Sequence, residues 1–171
     1  IYITPGSFPY ETMMPEDIMV IRTDGTVVDG ATKPSSEWRL HAEIYKNMPD
    51  VRAVVHTHSP YATSFAVNNH PIPVILIEMV PFLGGDVPVA PFALPGTDAV
   101  GTGAVAAMQG NDRYGCLMAN HGVVTIGSTL PQAHIRATYV EDAATIYSHA
   151  LQNGFPVVEM KEEDVLAMKG K

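Results

Sequence analysis

Short β-branched runs alternate with helix-patterned stretches along all 171 residues, with no internal repeat or low-complexity tract between them. That alternation restricts the chain to α/β architectures, in which helices cover the faces of a sheet. Ile1-Tyr2-Ile3-Thr4 reads as a strand ending in the turn Pro5-Gly6-Ser7, and segments 17–22 and 26–29 read as a hairpin across Thr23-Asp24-Gly25. A helix is expected to start at Pro34-Ser35-Ser36-Glu37, with a capping hydroxyl and Glu37 as its early acidic residue. Trp38, His41, Tyr45 and Met48 follow at helical spacing, and segment 47–50 ends the helix. Residues 51–57 form an apolar, β-branched strand, and a short helix over 61–67 follows Ser59-Pro60. Segments 74–77 and 87–90 read as further strands, 98–108 as a Gly-interrupted helix, and 116–119 with 123–126 as a strand pair joined tightly at His121 and Gly122.

The longest helix is expected over 131–151, with Ala133, Ile135, Ala137, Val140, Ala144 and Tyr147 among its buried residues. Asn153-Gly154 stops it, and a short acidic-started helix near Glu162 closes the chain. The hairpin signals, and the lack of a Gly-rich phosphate fingerprint, disfavour a doubly wound parallel sheet. The expectation is an α/β fold: a single-domain α/β/α sandwich with a largely antiparallel central sheet, spanning residues 1–171.

Composition narrows the function. Apolar residues make up 46% and charged residues 16% of the chain, which fits one packed core. Asp plus Glu outnumber Lys plus Arg by 18 to 10 and the basic residues are scattered, so no nucleic acid or anionic membrane is expected as a partner. An anionic ligand must be held locally. Cys116 is the only cysteine and reads as core, which excludes an intrachain disulfide framework and favours a reducing, cytoplasmic setting. The most apolar run, 74–83, is broken by Glu78 and Pro81 and falls far short of the ~20 residues that a spanning helix needs. The chain opens on Ile1 without an initiator Met, so an N-terminal segment is expected upstream.

Three histidines carry the chemistry. His56-Thr57-His58 places two imidazoles at i and i+2 on one face of a strand, close enough to share an ion. Such a pair on its own is more often structural than metal-binding. In Ala119-Asn120-His121-Gly122 a third imidazole sits in a turn beside a glycine that allows close approach, and three histidines with an open position describe a catalytic zinc site. Glu37 is by itself an ordinary carboxylate at a helix start. Ser35 and Ser36, with the free amides of that helix start, make a phosphate cradle, and Pro5-Gly6-Ser7 supplies a second turn of the same kind.

Taken in order and spacing, Pro34-Ser35-Ser36-Glu37-Trp38-Arg39-Leu40-His41, His56-Thr57-His58 and Asn120-His121-Gly122 resemble the class II aldolase/adducin family, over about residues 3–154. The resemblance implies one Zn²⁺ per subunit held by His56, His58 and His121, with Glu37 touching the resting metal and moving the proton. It implies phosphate contacts from Gly6, Ser7, Ser35 and Ser36, and a homotetramer with its sites between subunits. The expected reaction is cleavage of a phosphorylated sugar, a ketose 1-phosphate, to dihydroxyacetone phosphate and an aldehyde.

Two departures from the family pattern bear on that expectation. The upstream Gly-Asn-x-Ser stretch of the phosphate site is absent, and Ile77-Glu78 stands where the sugar-phosphate aldolases carry a catalytic tyrosine. Glu78, interrupting an apolar strand, is therefore expected to be the second acid/base. Three alternatives stay open. A dehydratase branch resembles the segment around Glu78-Met79, an epimerase branch carries Asp at the Glu37 position, and adducin-like modules keep the fold without catalysis.

Overall fold

The computed structural model describes residues 1–110 and 112–170. In chain order the elements are β1 (Tyr2–Ile3), β2 (Met19–Ile21), β3 (Val27–Asp29), α1 (Trp38–Asn47), β4 (Ala53–Thr57), α2 (Pro60–Val67), α3 (Met79–Leu83), β5 (Val89–Ala90), α4 (Asp98–Gln109), β6 (Gly115–Met118), β7 (Gly122–Gly127), α5 (Leu130–Gln152) and α6 (Glu162–Met168).

Four strands form the central sheet in the order β4-β7-β6-β5. The pairs β4–β7 and β7–β6 are antiparallel and only β6–β5 is parallel, as the hairpin signals required. The first three strands form a separate antiparallel sheet, β1-β2-β3, over a small core of Ile3, Met19 and Ile21 with Trp38 packed against it. The largely antiparallel central sheet is as expected, and this small second sheet lies beside it.

Alternation along β6 and β7 divides the main core into two layers. Cys116, Met118, Val124 and Ile126 face α1 and α4, where Leu40, Ile44, Val100, Ala104 and Met108 meet them. Leu117 and Val123 face α2, α3 and α5, against Ala62, Phe65, Leu83, Val140 and Tyr147. Helices thus cover both faces of the sheet. Cys116 is fully buried, and desolvation pushes its thiol up to about 12, so it is core as the sequence implied. Thr125, also buried on β7, donates its hydroxyl to the Ala133 carbonyl at 2.8 Å.

Two local expectations fail. Segment 74–77 is not a strand: Ile72 makes one bridge to Val87, and the chain then turns into α3 with Glu78 as its N-cap. Pro71 and Pro73 deny the ladder two amide donors, while Val74, Ile75 and Leu76 bury part of their surface against the α2/α3/α5 layer without a strand partner. Ile135, expected inside α5, is 41% exposed, whereas Ala133, Ala137, Val140, Ala144 and Tyr147 are buried. Among the described residues no helix is long and apolar enough to cross a membrane.

Candidate metal centre

The three histidines meet because β4 and β7 run antiparallel, with His56 opposite Val124 and Thr57 opposite Val123. The end of β4 therefore lies beside the start of β7, and the β6–β7 turn hangs His121 over it. That turn is short because Met118 pairs with Gly122, leaving three residues between them. Asn120 takes the left-handed conformation at φ 55°, which asparagine tolerates, and the His121 amide donates to the Met118 carbonyl at 3.0 Å. Gly122 cannot carry a side chain here. An added Cβ would lie 2.5 Å from the Thr57 carbonyl oxygen and 2.7 Å from Cδ2 of His58.

His56 and His58 turn their Nε2 atoms to within 3.1 Å of each other, although the strand itself ends at Thr57. The ring centroids of His56, His58 and His121 are 4.8, 4.9 and 5.2 Å apart, and one ligand atom from each lies within 4.8 Å of the others. Nδ1 of His56 donates to the Val123 carbonyl oxygen at 2.8 Å. This bond fixes the tautomer, leaving Nε2 unprotonated and available to a metal, and it is the usual support of a metal-ligating histidine.

Electrostatics favour the same state. Burial pushes His56 down to about 3, reinforced by the neighbouring His121, His58 and His41. His121 is also lowered, by burial, with the Glu37 carboxylate pulling the other way. Both His56 and His121 thus favour the neutral form that a metal ligand needs. Three convergent imidazole nitrogens, one anchored through its second nitrogen, fit a divalent ion such as zinc.

Glu37 lies at the N-cap of α1, one residue before the expected first turn, and its Oε2 is 3.7 Å from Nε2 of His121. That distance exceeds a hydrogen bond, and His121 is neutral at pH 7, so the two form no ion pair. The carboxylate stands beside the histidine cluster with its oxygens free to meet a ligand there. The expected capping hydroxyl is corrected: α1 has no side-chain cap, and Ser35 Oγ instead accepts from the Glu37 amide at 3.2 Å in the turn that leads into the helix. His41, read from the sequence only as part of the helical repeat, is half-buried on α1 near enough to bear on His56, and desolvation pushes it down to about 4.

The two expected phosphate elements are brought together. The Ser35 amide donates to the Thr4 carbonyl at 3.0 Å, Pro5 bridges Pro34, and the Gly6 amide donates to the Lys33 carbonyl at 2.9 Å. The approach is close, since a Cβ on Gly6 would sit 3.1 Å from the Pro34 oxygen. Its amide is thereby committed to Lys33. Ser7 and Ser36 are exposed, Ser7 in the left-handed region at φ 56°.

Glu78 is exposed at the start of α3 and does not belong to the histidine cluster. The premise of a carboxylate trapped in an apolar strand is thus corrected. A cavity of about 410 Å³ lies at the far ends of β6 and β7, lined by Tyr114, Ile126, Gly127 and Arg136 among others, and none of the three histidines lines it.

A sheet sandwiched by helices thus carries at one end three histidines placed so that they could hold a metal ion, with a carboxylate beside them. Residues 1–148 match the family model of the class II aldolase and adducin N-terminal domain. The chain is 38% identical over 161 residues to the 5-methylthioribulose-1-phosphate/5-deoxyribulose-1-phosphate aldolase of Rhodospirillum rubrum, covering 94% of this chain and 72% of that protein. It is 34% identical over 161 residues to the 5-deoxy-D-ribulose 1-phosphate aldolase of Bacillus thuringiensis serovar kurstaki, covering 94% and 74%. A solved L-fuculose 1-phosphate aldolase superposes with a TM-score of 0.90 at 35% identity, covering 98% of this chain and 77% of that one. The chain belongs to the class II aldolase and adducin family, and within it to the carbon–carbon lyases.

Proposed function

We propose that the protein is a zinc-dependent aldolase that cleaves a ketose 1-phosphate to dihydroxyacetone phosphate and an aldehyde. The observation that carries this reading is the convergence of His56, His58 and His121 beside Glu37. His56, His58 and His121 would hold the ion, with Glu37 beside it. When bound, zinc supplies Lewis acidity toward the carbonyl and adjacent hydroxyl oxygens of the sugar. Glu37 moves the proton at the dihydroxyacetone phosphate carbon, acting from the rim of the cluster and outside any ion pair. Ser7, Ser35 and Ser36 receive the phosphate where the Gly6 turn meets the start of α1, which accounts for an anion site on a chain of net charge −8.

Glu78 remains the proposed second acid/base; its exposure leaves the carboxylate free to act across a subunit boundary. A homotetramer with sites between subunits fits the apolar side chains that a single chain exposes, among them Tyr2, Val28, Phe92 and Leu94. A cytoplasmic setting fits the single buried thiol.

L-Fuculose 1-phosphate and 5-deoxyribulose 1-phosphate are the two substrates to try first, given the relatives named above. Zinc-loaded protein is incubated with each, and release of dihydroxyacetone phosphate is followed with a coupled reductase. Cleavage of either supports the reading. A product that keeps all its carbons assigns the chain to dehydration or epimerisation.

A further inference from the structure

We infer that Glu141, in the middle of α5, is a positioning residue for His58, acting through the first turn of α2. The inference rests on the metal-centre reading given above. Helix α2 starts two residues after His58, and its opening amides need acceptors. Pro60 has no amide hydrogen, and the Thr63 amide makes the first helical bond, to the Ser59 carbonyl at 2.9 Å. The Tyr61 and Ala62 amides remain. Ser59, the N-cap, gives neither of them a side-chain bond; its hydroxyl lies instead 3.4 Å from that of Thr57. Glu141 takes both, Oε1 from Tyr61 at 3.0 Å and Oε2 from Ala62 at 2.9 Å. One carboxylate from another helix thus completes the cap, in charge-assisted bonds placed where the helix dipole favours an anion.

The consequence reaches the metal centre because His58 is exposed and lies outside the strand that holds His56. His56 is held on a strand and through its Val123 bond, whereas His58 lies beyond the last residue of β4, with its ring against the other two imidazoles and its Cδ2 edge close to Gly122. Its backbone is set on one side by the end of β4 and on the other by the junction Ser59-Pro60. Freeing the first turn of α2 lets that junction shift, and a ligand displaced by an ångström gives up part of its bond to the ion. Groups that orient metal ligands typically contribute 10–100-fold to affinity. Acting one step further back, Glu141 belongs at the lower end, about tenfold.

The test measures zinc affinity of the metal-free full chain by competition with a chromophoric chelator, together with the visible spectrum of the Co²⁺ form and the thermal midpoint without metal. Glu141→Ala should weaken zinc about tenfold and alter the Co²⁺ bands. Thr129→Ala removes a cap of the same kind at the start of α5, where the Thr129 hydroxyl accepts from Gln132, and should lower the midpoint while leaving both metal readouts unchanged. If the alanine variant does not fold, Glu141→Gln, which keeps one acceptor oxygen, should still weaken zinc by a smaller factor. Wild-type zinc affinity and Co²⁺ bands in a destabilised Glu141 variant would overturn the inference and leave Glu141 a helix cap. Failure of the wild-type protein itself to bind zinc would overturn the metal-centre reading, and the inference with it.

Discussion

Acidifying the metal-free protein from pH 7 to pH 5 should cost about 3–4 kcal/mol of folding stability, most of it through two imidazoles. His56 is pushed down to about 3 and His41 to about 4, each from an ordinary 6.5 in the unfolded chain. Their folded values are depressed, so the stability they contribute is fully present above the unfolded value and is lost as pH falls toward the folded ones. At pH 5 the unfolded chain binds nearly one more proton at each site than the folded chain does. Integrating the linkage from pH 7 gives about 1.8 kcal/mol per site. His121, lowered by burial, adds in the same direction. Urea unfolding at pH 7, 6 and 5 measures the slope, and His56→Asn should reduce the loss by about 2 kcal/mol. A loss of the same size in wild type and His56→Asn, or no loss at all, would show that these imidazoles are solvated and not held neutral in the fold.

Glu37→Gln should keep fold and zinc while lowering turnover about 10²–10⁴-fold, read as dihydroxyacetone phosphate release under saturating substrate; near-normal turnover would reduce Glu37 to a helix-cap residue. Ser36→Asp should raise KM for a ketose 1-phosphate about tenfold or more by opposing the dianion; an unchanged ratio between phosphorylated and unphosphorylated sugars would move the phosphate site elsewhere. Gly122→Ala drives a methyl into the Thr57 carbonyl and the His58 ring, so it should cost about 1–3 kcal/mol of stability and weaken zinc as well. Denaturant midpoints and chelator competition check both.

Periodicity and turn chemistry made much of this molecule legible. The i, i+2 histidines at the end of β4, the Asn120-His121-Gly122 turn and the Pro34–Glu37 approach to α1 were readable because local geometry largely decides them: extended backbone, a left-handed asparagine and a serine turn. Segment 74–77 misled because β-branched composition speaks only for a half-buried surface, and here loop backbone between prolines supplies that surface. Glu78 was misplaced with it. Contacts between elements distant in sequence left no local signal. These include the Val123 carbonyl behind His56, the Glu141 cap on α2, 79 residues away from Ala62, and the commitment of the Gly6 amide to Lys33. The division into two sheets was equally hidden, since hairpin signals report which strands are neighbours and not where a sheet ends.

The most direct measurement is a titration of metal-free protein with zinc while dihydroxyacetone phosphate release from a ketose 1-phosphate is followed. Activity should rise linearly to one equivalent per chain and then level off, and His56→Ala plus His121→Ala protein should neither take up zinc nor gain activity. Cleavage by metal-free protein in the presence of a strong chelator, or stoichiometric zinc retained by the doubly substituted protein, would contradict a catalytic metal held by His56, His58 and His121.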